Sequence, residues 1–364
     1  MSGNTSGDIR GTTRRGLVAG VGAGLLAAPR LASAQAPIRW RMATSWPKSL
    51  PGPGVSARRL SERIGRMSGG RLEIQLFAAG EIVPAFAVLD AISAGTVEFG
   101  HTASFFWQGK RPAAAFFTTV PFGLTPLEHA AWIAFGDGQA LWDELYRPFG
   151  AKAFLAGNTG PSMGGWFRRE VKALSDIRGL RIRVQGLGGE LYRRLGATPL
   201  AIPPGELEIS LSRGVVDAAE LLAPANDISL GLHRHAPFCH MPGFNKPNGA
   251  AEALVSLKAW EALPEDLKQV VAQACEAEHM AGLAEAEATN AAALRTLVER
   301  ENVKVVAFPE EMMTAARKEA ADIVAGIGAT DDISGRIVAS YRKAVEGGRI
   351  WASVQAVMAR AVRG

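Results

Sequence analysis

The 364-residue sequence has only two cysteines, three tyrosines and six histidines, and its lysines and arginines outnumber its acids by just five. Two cysteines exclude a disulfide-built scaffold, so packing must carry the stability of a chain this long. Cys239 falls in an expected strand and Cys275 in an expected helix, which leaves one disulfide and two buried thiols as open readings. Long apolar runs are also missing: beyond Ala28 nothing is apolar for long enough to cross a bilayer. Catalytic signatures are absent as well, with no Gly-x-Ser-x-Gly elbow, no His-Glu-x-x-His helix and no cysteine in a nucleophile's setting. Gly186-Leu187-Gly188-Gly189 lacks the spacing and lysine of a phosphate loop.

Charge is unevenly placed. Thr13-Arg14-Arg15-Gly16-Leu17-Val18 sets paired arginines before an apolar run from Leu17 to Ala28, and Ala32-Ser33-Ala34 offers a small-residue cleavage site. This pattern predicts a twin-arginine export signal over residues 1–34, removed from a mature periplasmic protein. Arg10, Arg14, Arg15 and Arg30 against Asp8 take three positive charges with them, leaving a net +2. A chain so close to neutral has no bulk electrostatic reason to bind nucleic acid.

The remainder alternates strand and helix signals and predicts an α/β fold. Strands are expected over 38–43, 71–76 and 97–100, with helices over 55–67 and 85–94. A second group begins near Asn158, with strands over 154–157 and 163–167. The stretch from Arg178 to Glu220 then reads as strand, helix, strand, helix, strand, Arg183 ending the first strand and Glu220 the last. Ligands of open α/β sheets sit at the carboxyl ends of strands, so this unit offers a cation and an anion to a small charged ligand. Ala250–Ser256 reads as a strand able to return to the first group, and two crossings imply a hinge. Proline-free, alanine-rich sequence predicts a helix of about 55 Å over 265–301, long enough to wrap both lobes or to pair with a second copy. Further helices are expected over 310–325, 332–345 and 350–362.

Several motifs together resemble the solute-binding proteins of tripartite ATP-independent periplasmic (TRAP) transporters. They are Asn158-Thr159-Gly160, Gly164-Gly165-Trp166-Phe167-Arg168-Arg169-Glu170, Gly179-Leu180-Arg181-Ile182-Arg183 and Asp217-Ala218-Ala219-Glu220, joined by His101-Thr102-Ala103-Ser104 and Val120-Pro121-Phe122-Gly123-Leu124. The likeness is strongest to the branch that binds 2-oxo acids and similar monocarboxylates. It implies a two-lobe periplasmic binding protein with a hinge and long C-terminal helices, in which residues 36–157 with about 248–285 form lobe I, 158–247 with about 286–330 form lobe II, and 331–364 are C-terminal helices. It implies a small organic acid as ligand, a TRAP permease's membrane subunits as partner and, in this branch, a homodimer.

The resemblance also assigns residues. Arg183 matches the arginine that pairs with the ligand carboxylate, a planar fork suited to bidentate binding. Glu220 and the Leu221 carbonyl match ligands of a cation, and Asn245 matches a polar shell residue shared by ligand and ion. Trp46 and Phe106 fall near the ligand, with Phe105 and Phe106 where tyrosines are usual. Ser162 stands where a glutamine usually reaches both cation and ligand, and Leu221 where a tryptophan is common. No cofactor is required. Na+ or Ca2+ bridging the ligand is one way to balance a buried Glu220; hydrogen bonds from an ammonium or hydroxyl of the ligand are another. The departures point to a bulkier or more apolar acid. His233, His235, Cys239 and His240 invite a metal-site reading, but His-x-His on a loop need not converge, and structural or surface roles are expected. Two other functions stay open: an exported enzyme with Glu220 as general base, and a periplasmic ligand sensor.

Overall fold

The computed structural model describes residues 36–363, so the export signal expected over 1–34 lies outside the described residues. Eleven strands and eleven α-helices run in the order β1 (Ile38–Thr44), α1 (Pro53–Met67), β2 (Leu72–Phe77), α2 (Val88–Ser93), β3 (Phe99–Thr102), α3 (Pro126–Phe135), α4 (Gly138–Tyr146), β4 (Ala151–Asn158), β5 (Gly165–Phe167), β6 (Arg181–Arg183), α5 (Gly186–Arg194), β7 (Thr198–Leu200), α6 (Leu207–Ser212), β8 (Ala218–Ala219), α7 (Pro224–Asp227), β9 (Phe238–Met241), β10 (Ala250–Ser256), α8 (Leu257–Glu261), α9 (Glu265–Glu299), β11 (Lys304–Ala307), α10 (Glu310–Gly328) and α11 (Asp332–Arg363). Two mixed sheets, ordered β2-β1-β3-β10-β4 and β11-β9-β5-β8-β6-β7, form two lobes.

The chain passes from the first sheet to the second between β4 and β5 and returns between β9 and β10. The two crossings run side by side: Thr159 N–H donates to Gly249 O at 3.2 Å and Ser162 N–H to Lys246 O at 3.3 Å. Gly243 and Gly249 permit this closeness, because a Cβ at Gly243 would lie 2.0 Å from Ser162 O and one at Gly249 2.0 Å from Thr159 Oγ1. Asn248 ties the second crossing back to the first sheet, accepting from Asn158 Nδ2 at 2.9 Å and donating to Thr118 O at 2.9 Å.

Helix α9 packs on α1 and β4 of the first lobe and on α7 after β8 of the second, so one element bridges both lobes. Its anchor is Glu278, fully buried, whose carboxylate takes Arg59 Nε at 2.9 Å and Ser56 Oγ at 2.8 Å. At the far end Asn290 Oδ1 accepts Ala225 N–H at 3.0 Å.

Two helix expectations are corrected. The helices expected over 332–345 and 350–362 are one continuous helix, α11, because Gly347 and Gly348 cost only about 1 kcal/mol each against alanine and no proline intervenes. Helices α3 and α4 are additional to the helices expected; α3 carries apolar residues with little amphipathic period, whereas the ten- and nine-residue lengths of α3 and α4 are short for a periodic signal. Thr125 and Glu128 start α3, the Glu128 carboxylate accepting both Thr125 N–H and Oγ–H at 2.8 Å. Phe117 stacks on Trp132 and Trp142, and Tyr341 of α11 meets Trp132 edge-on at 5.1 Å, fastening these helices to the first lobe. Cys239 and Cys275 are both buried free thiols.

The core holds several titratable groups whose burial sets a pH profile. His101, His129, His240 and His279 are pushed down to about 4, chiefly by burial, so they fold neutral while the unfolded chain protonates them below its ordinary 6.5. Their contribution is present above pH 6.5 and is lost as pH falls from 6.5 towards 4. Glu252 and Asp227 go the other way, raised by burial to about 8 and about 7, so the stability tied to their protonated forms is lost as pH rises from the ordinary carboxyl range through those values. Four histidines outweigh two carboxyls on the acid side and have finished titrating on the alkaline side. The melting temperature is therefore expected to peak near pH ~6.5 and fall in both directions, as scanning fluorimetry across that range would record.

Candidate ligand cavity between the lobes

Strands β6 and β8 are parallel neighbours with Arg183 opposite Ala219, which brings their carboxyl ends together although 37 residues separate Arg183 from Glu220. Glu220 N–H donates to Arg183 O at 2.8 Å, and the Arg183 side chain returns to the same residue, Nη1 donating to Glu220 O at 2.6 Å. Arg183 Nε donates to Ile202 O at 2.9 Å. These bonds use Nε and Nη1 of a guanidinium that is 2% exposed; Nη2 has no protein acceptor among the described residues, and Arg183 lines the cavity between the lobes. Burial lowers its pKa, opposed by Glu220 and Asp227, and an arginine keeps its charge through such a shift.

The cavity walls are mostly apolar. Trp46, Leu50, Phe105 and Phe106 come from the first lobe, Pro204, Leu221 and Leu222 from the second, and Asn158, Thr159, Lys246 and Gly249 from the crossings. Trp46 is held by its Nε1 donating to His101 Nδ1 at 2.8 Å, while His101 Nε2 lies 2.6 Å from Ala156 O as the ring's donor. Phe106 packs against Trp46, Phe86 and Phe105 with ring centroids 4.7–5.9 Å apart. The space is small, about 40 Å³ open to the centre of a water molecule. One water needs roughly 10–15 Å³ on that measure, so the cavity suits a ligand of a few heavy atoms.

Of the residues singled out from sequence, Arg183, Trp46, Phe105, Phe106 and Leu221 line this cavity. Ser162, Glu220 and Asn245 do not. Ser162 is buried beside Gly243 with its Oγ unbonded, and Asn245 packs its buried amide against Gly188 with neither amide atom bonded. The polar side chain that lines the cavity from this loop is the next residue, Lys246. A lysine between asparagine and proline gave no sign of burial; only the course of the second crossing puts it inside.

Lys246 changes the electrostatics of the site. Its Nζ lies 2.6 Å from Glu220 Oε1 and donates to Leu221 O, and the residue is 6% exposed. The Glu220 carboxylate makes no well-aligned hydrogen bond; its partners are two charges, Lys246 and, at 4.0 Å, Arg183 Nη1. Beneath it Asp227 accepts Trp166 Nε1 at 2.8 Å and Leu222 N–H at 3.1 Å. Burial raises Asp227 to about 7, and Glu220 adds to the rise while Lys246 opposes it. Arg183 and Lys246 against Glu220, with Asp227 protonated below about pH 7, leave a net positive charge at the cavity, suited to an anion.

A metal fits this arrangement poorly. Sodium or calcium would need the Glu220 carboxylate and the Leu221 carbonyl, the two oxygens on which the Lys246 ammonium already sits, and would stand against that like charge. The histidine group does not converge either: His233 Nε2 lies 3.5 Å from Glu301, His235 Nε2 2.7 Å from Glu208, and His240 Nε2 accepts Val171 N–H at 3.1 Å. Cys239 is buried next to His240, on the opposite face of β9.

Two sheets joined by paired crossings, with a charged cavity at their meeting, define a two-lobed solute-binding protein. The chain belongs to the DctP family, bacterial extracellular solute-binding protein family 7, whose profile matches residues 43–331 and whose members serve TRAP transporters. It is 43% identical over 286 residues, 79% of this chain and 78% of the other, to a monocarboxylate 2-oxoacid-binding periplasmic protein of Nostoc sp.. A TRAP transporter solute-binding protein from Bordetella bronchiseptica, solved as a mixed-occupancy dimer with co-purified calcium and picolinate, is 37% identical with a TM-score of 0.86, covering 90% of this chain and 99% of that one. One from Pseudoalteromonas atlantica with bound sodium and pyruvate is 34% identical, again with a TM-score of 0.86 and coverage of 90% and 99%.

Proposed function

We propose that this protein captures a small organic monocarboxylate, a 2-oxo or 2-hydroxy acid, between its lobes and delivers it to the membrane subunits of a TRAP permease. The observation that carries the reading is Arg183, a buried guanidinium whose Nη2 has no protein acceptor among the described residues and which lines a mostly apolar cavity of net positive charge. The acids held by the Nostoc, Bordetella and Pseudoalteromonas proteins support the ligand class. The tight space favours an acid of pyruvate's size over the bulkier one that Leu221, Phe105 and Phe106 suggest. Lobe I as 36–157 with 248–285, against lobe II as 158–247 with 286–330, is supported by which strands join which sheet. Closing them over the acid would exclude water and strengthen the Arg183 pair. Glu220, already committed to Lys246, is poorly placed as an enzyme's general base. Mass spectrometry of the small molecule released on denaturing the purified protein tests the reading: a small monocarboxylic acid is expected, and a neutral or polyanionic ligand would reject it.

Twin-arginine export into the periplasm fits a solute receptor and remains part of this proposal. So does a homodimer. Helix α9 packs on α1, β4 and α7 along one side and leaves Met280 and Val298 exposed, and the last turns of α11 expose Ile350, Trp351, Val354, Val357 and Met358 within one face, the larger apolar surface of the two. Ile350→Glu with Val357→Glu is expected to turn a dimer into a monomer in sedimentation without loss of acid binding; a parent that is already monomeric would remove the dimer.

A further inference from the structure

The second crossing carries a group that the relatives' bound ions bring into focus. Lys246 is fixed at its backbone, its N–H donating to Gly243 O at 3.0 Å and its carbonyl accepting Ser162 N–H at 3.3 Å. From there its ammonium reaches the buried Glu220 carboxylate and the Leu221 carbonyl while lining the ligand cavity. Glu220, 1% exposed, needs a cation beside it, since an uncompensated buried carboxylate is strongly unfavourable. In the Bordetella and Pseudoalteromonas proteins calcium or sodium accompanies the bound acid. Here a covalently attached cation is already in place.

We infer that Lys246 is the resident cation of this site, an ammonium standing in for a metal ion, so that the protein binds its acid without sodium or calcium and Nζ donates a hydrogen bond to a ligand oxygen. The inference rests on the acid-binding reading and narrows it. A metal ion favours ligands that present two chelating oxygens, as a 2-oxo or 2-hydroxy acid does. An ammonium donates separate hydrogen bonds and asks for no chelate. Simple short-chain carboxylates lacking the second oxygen are therefore accepted with little penalty, and the specificity of the site comes from Arg183, Lys246 and the apolar walls.

The test uses the mature protein, stripped with a chelator and exchanged into choline chloride. Calcium chloride titrated into it should give no binding heat, and pyruvate should bind with the same affinity, within about twofold, with or without calcium or sodium. Lys246→Gln frees both oxygens while keeping a polar side chain; it should gain calcium binding and make pyruvate binding depend on calcium. Its fold is checked by circular dichroism, and the wild-type titrations stand whether or not it folds. Stoichiometric calcium uptake by the wild type, or a tenfold or larger gain in pyruvate affinity on adding either ion, would overturn the inference. So would a folded Lys246→Gln protein that takes up no calcium. If pyruvate and other carboxylates bind under no condition, the acid-binding reading fails, and the calcium titrations of the two proteins still decide the role of Lys246.

Discussion

Arg183→Ala is expected to weaken acid binding at least about thirtyfold, roughly 2 kcal/mol. The side chain offers the ligand a charge-assisted pair inside an apolar cavity, where such a pair is stronger than at a wet surface. Truncation also strips Ile202 O and Glu220 O of their donors and leaves Glu220 with Lys246 as its remaining charge partner. Part of the effect will therefore appear as lost stability, which a melt of the ligand-free variant separates from lost affinity. Arg183→Lys keeps the charge without the planar fork and should fall between the two. An Arg183→Ala protein that binds the acid as tightly as the parent in calorimetry would remove the clamp.

Glu278→Gln is expected to lower stability by about 3 kcal/mol, because removing one partner of a buried ion pair leaves the other uncompensated. The affected charge is Arg59, which holds Glu278 through Nε and Nη2 at 2.8–2.9 Å, with Arg63 3.5 Å away. Arg59 is about a quarter exposed and keeps Glu285 as a second partner, which places the cost at the lower end for buried pairs. Spread over a chain of this size the loss amounts to about 4 °C in melting temperature. The substitution loosens α9 from α1 and reaches the cavity only through Ser56, whose hydroxyl donates to Glu278, and Gly282 on its wall, so acid affinity at low temperature should fall far less than in Arg183→Ala. A melting temperature within about one degree of the parent's would show that α9 is held by apolar packing alone.

The legible part of the site was the part built from regular elements. Arg183 and Glu220 announce themselves at the ends of short strands, and parallel pairing of β6 with β8 makes them neighbours. Trp46, Phe105 and Phe106 follow motifs of a recognisable family. Lys246 was not legible, because the loop from Gly243 to Gly249 has no period that assigns successive residues to a face, and the neighbouring Asn245 drew the assignment instead. The buried carboxyls Asp227 and Glu252 were missed for a related reason: their donors, Trp166 for one and Trp107 with Tyr146 for the other, lie 61, 145 and 106 residues away. In the fold, α3 has little amphipathic spacing and both α3 and α4 are short, so neither stands out in the sequence, and the glycines within α11 look like a stop where the absence of proline lets the helix continue.

The measurement that bears most directly on the account is a calorimetric titration of pyruvate and related 2-oxo and 2-hydroxy acids, each beside its neutral amide, into metal-free protein. The carboxylate forms should bind saturably and their amides should give no measurable heat. Amides that bind as well as the acids would contradict recognition of a monocarboxylate by Arg183.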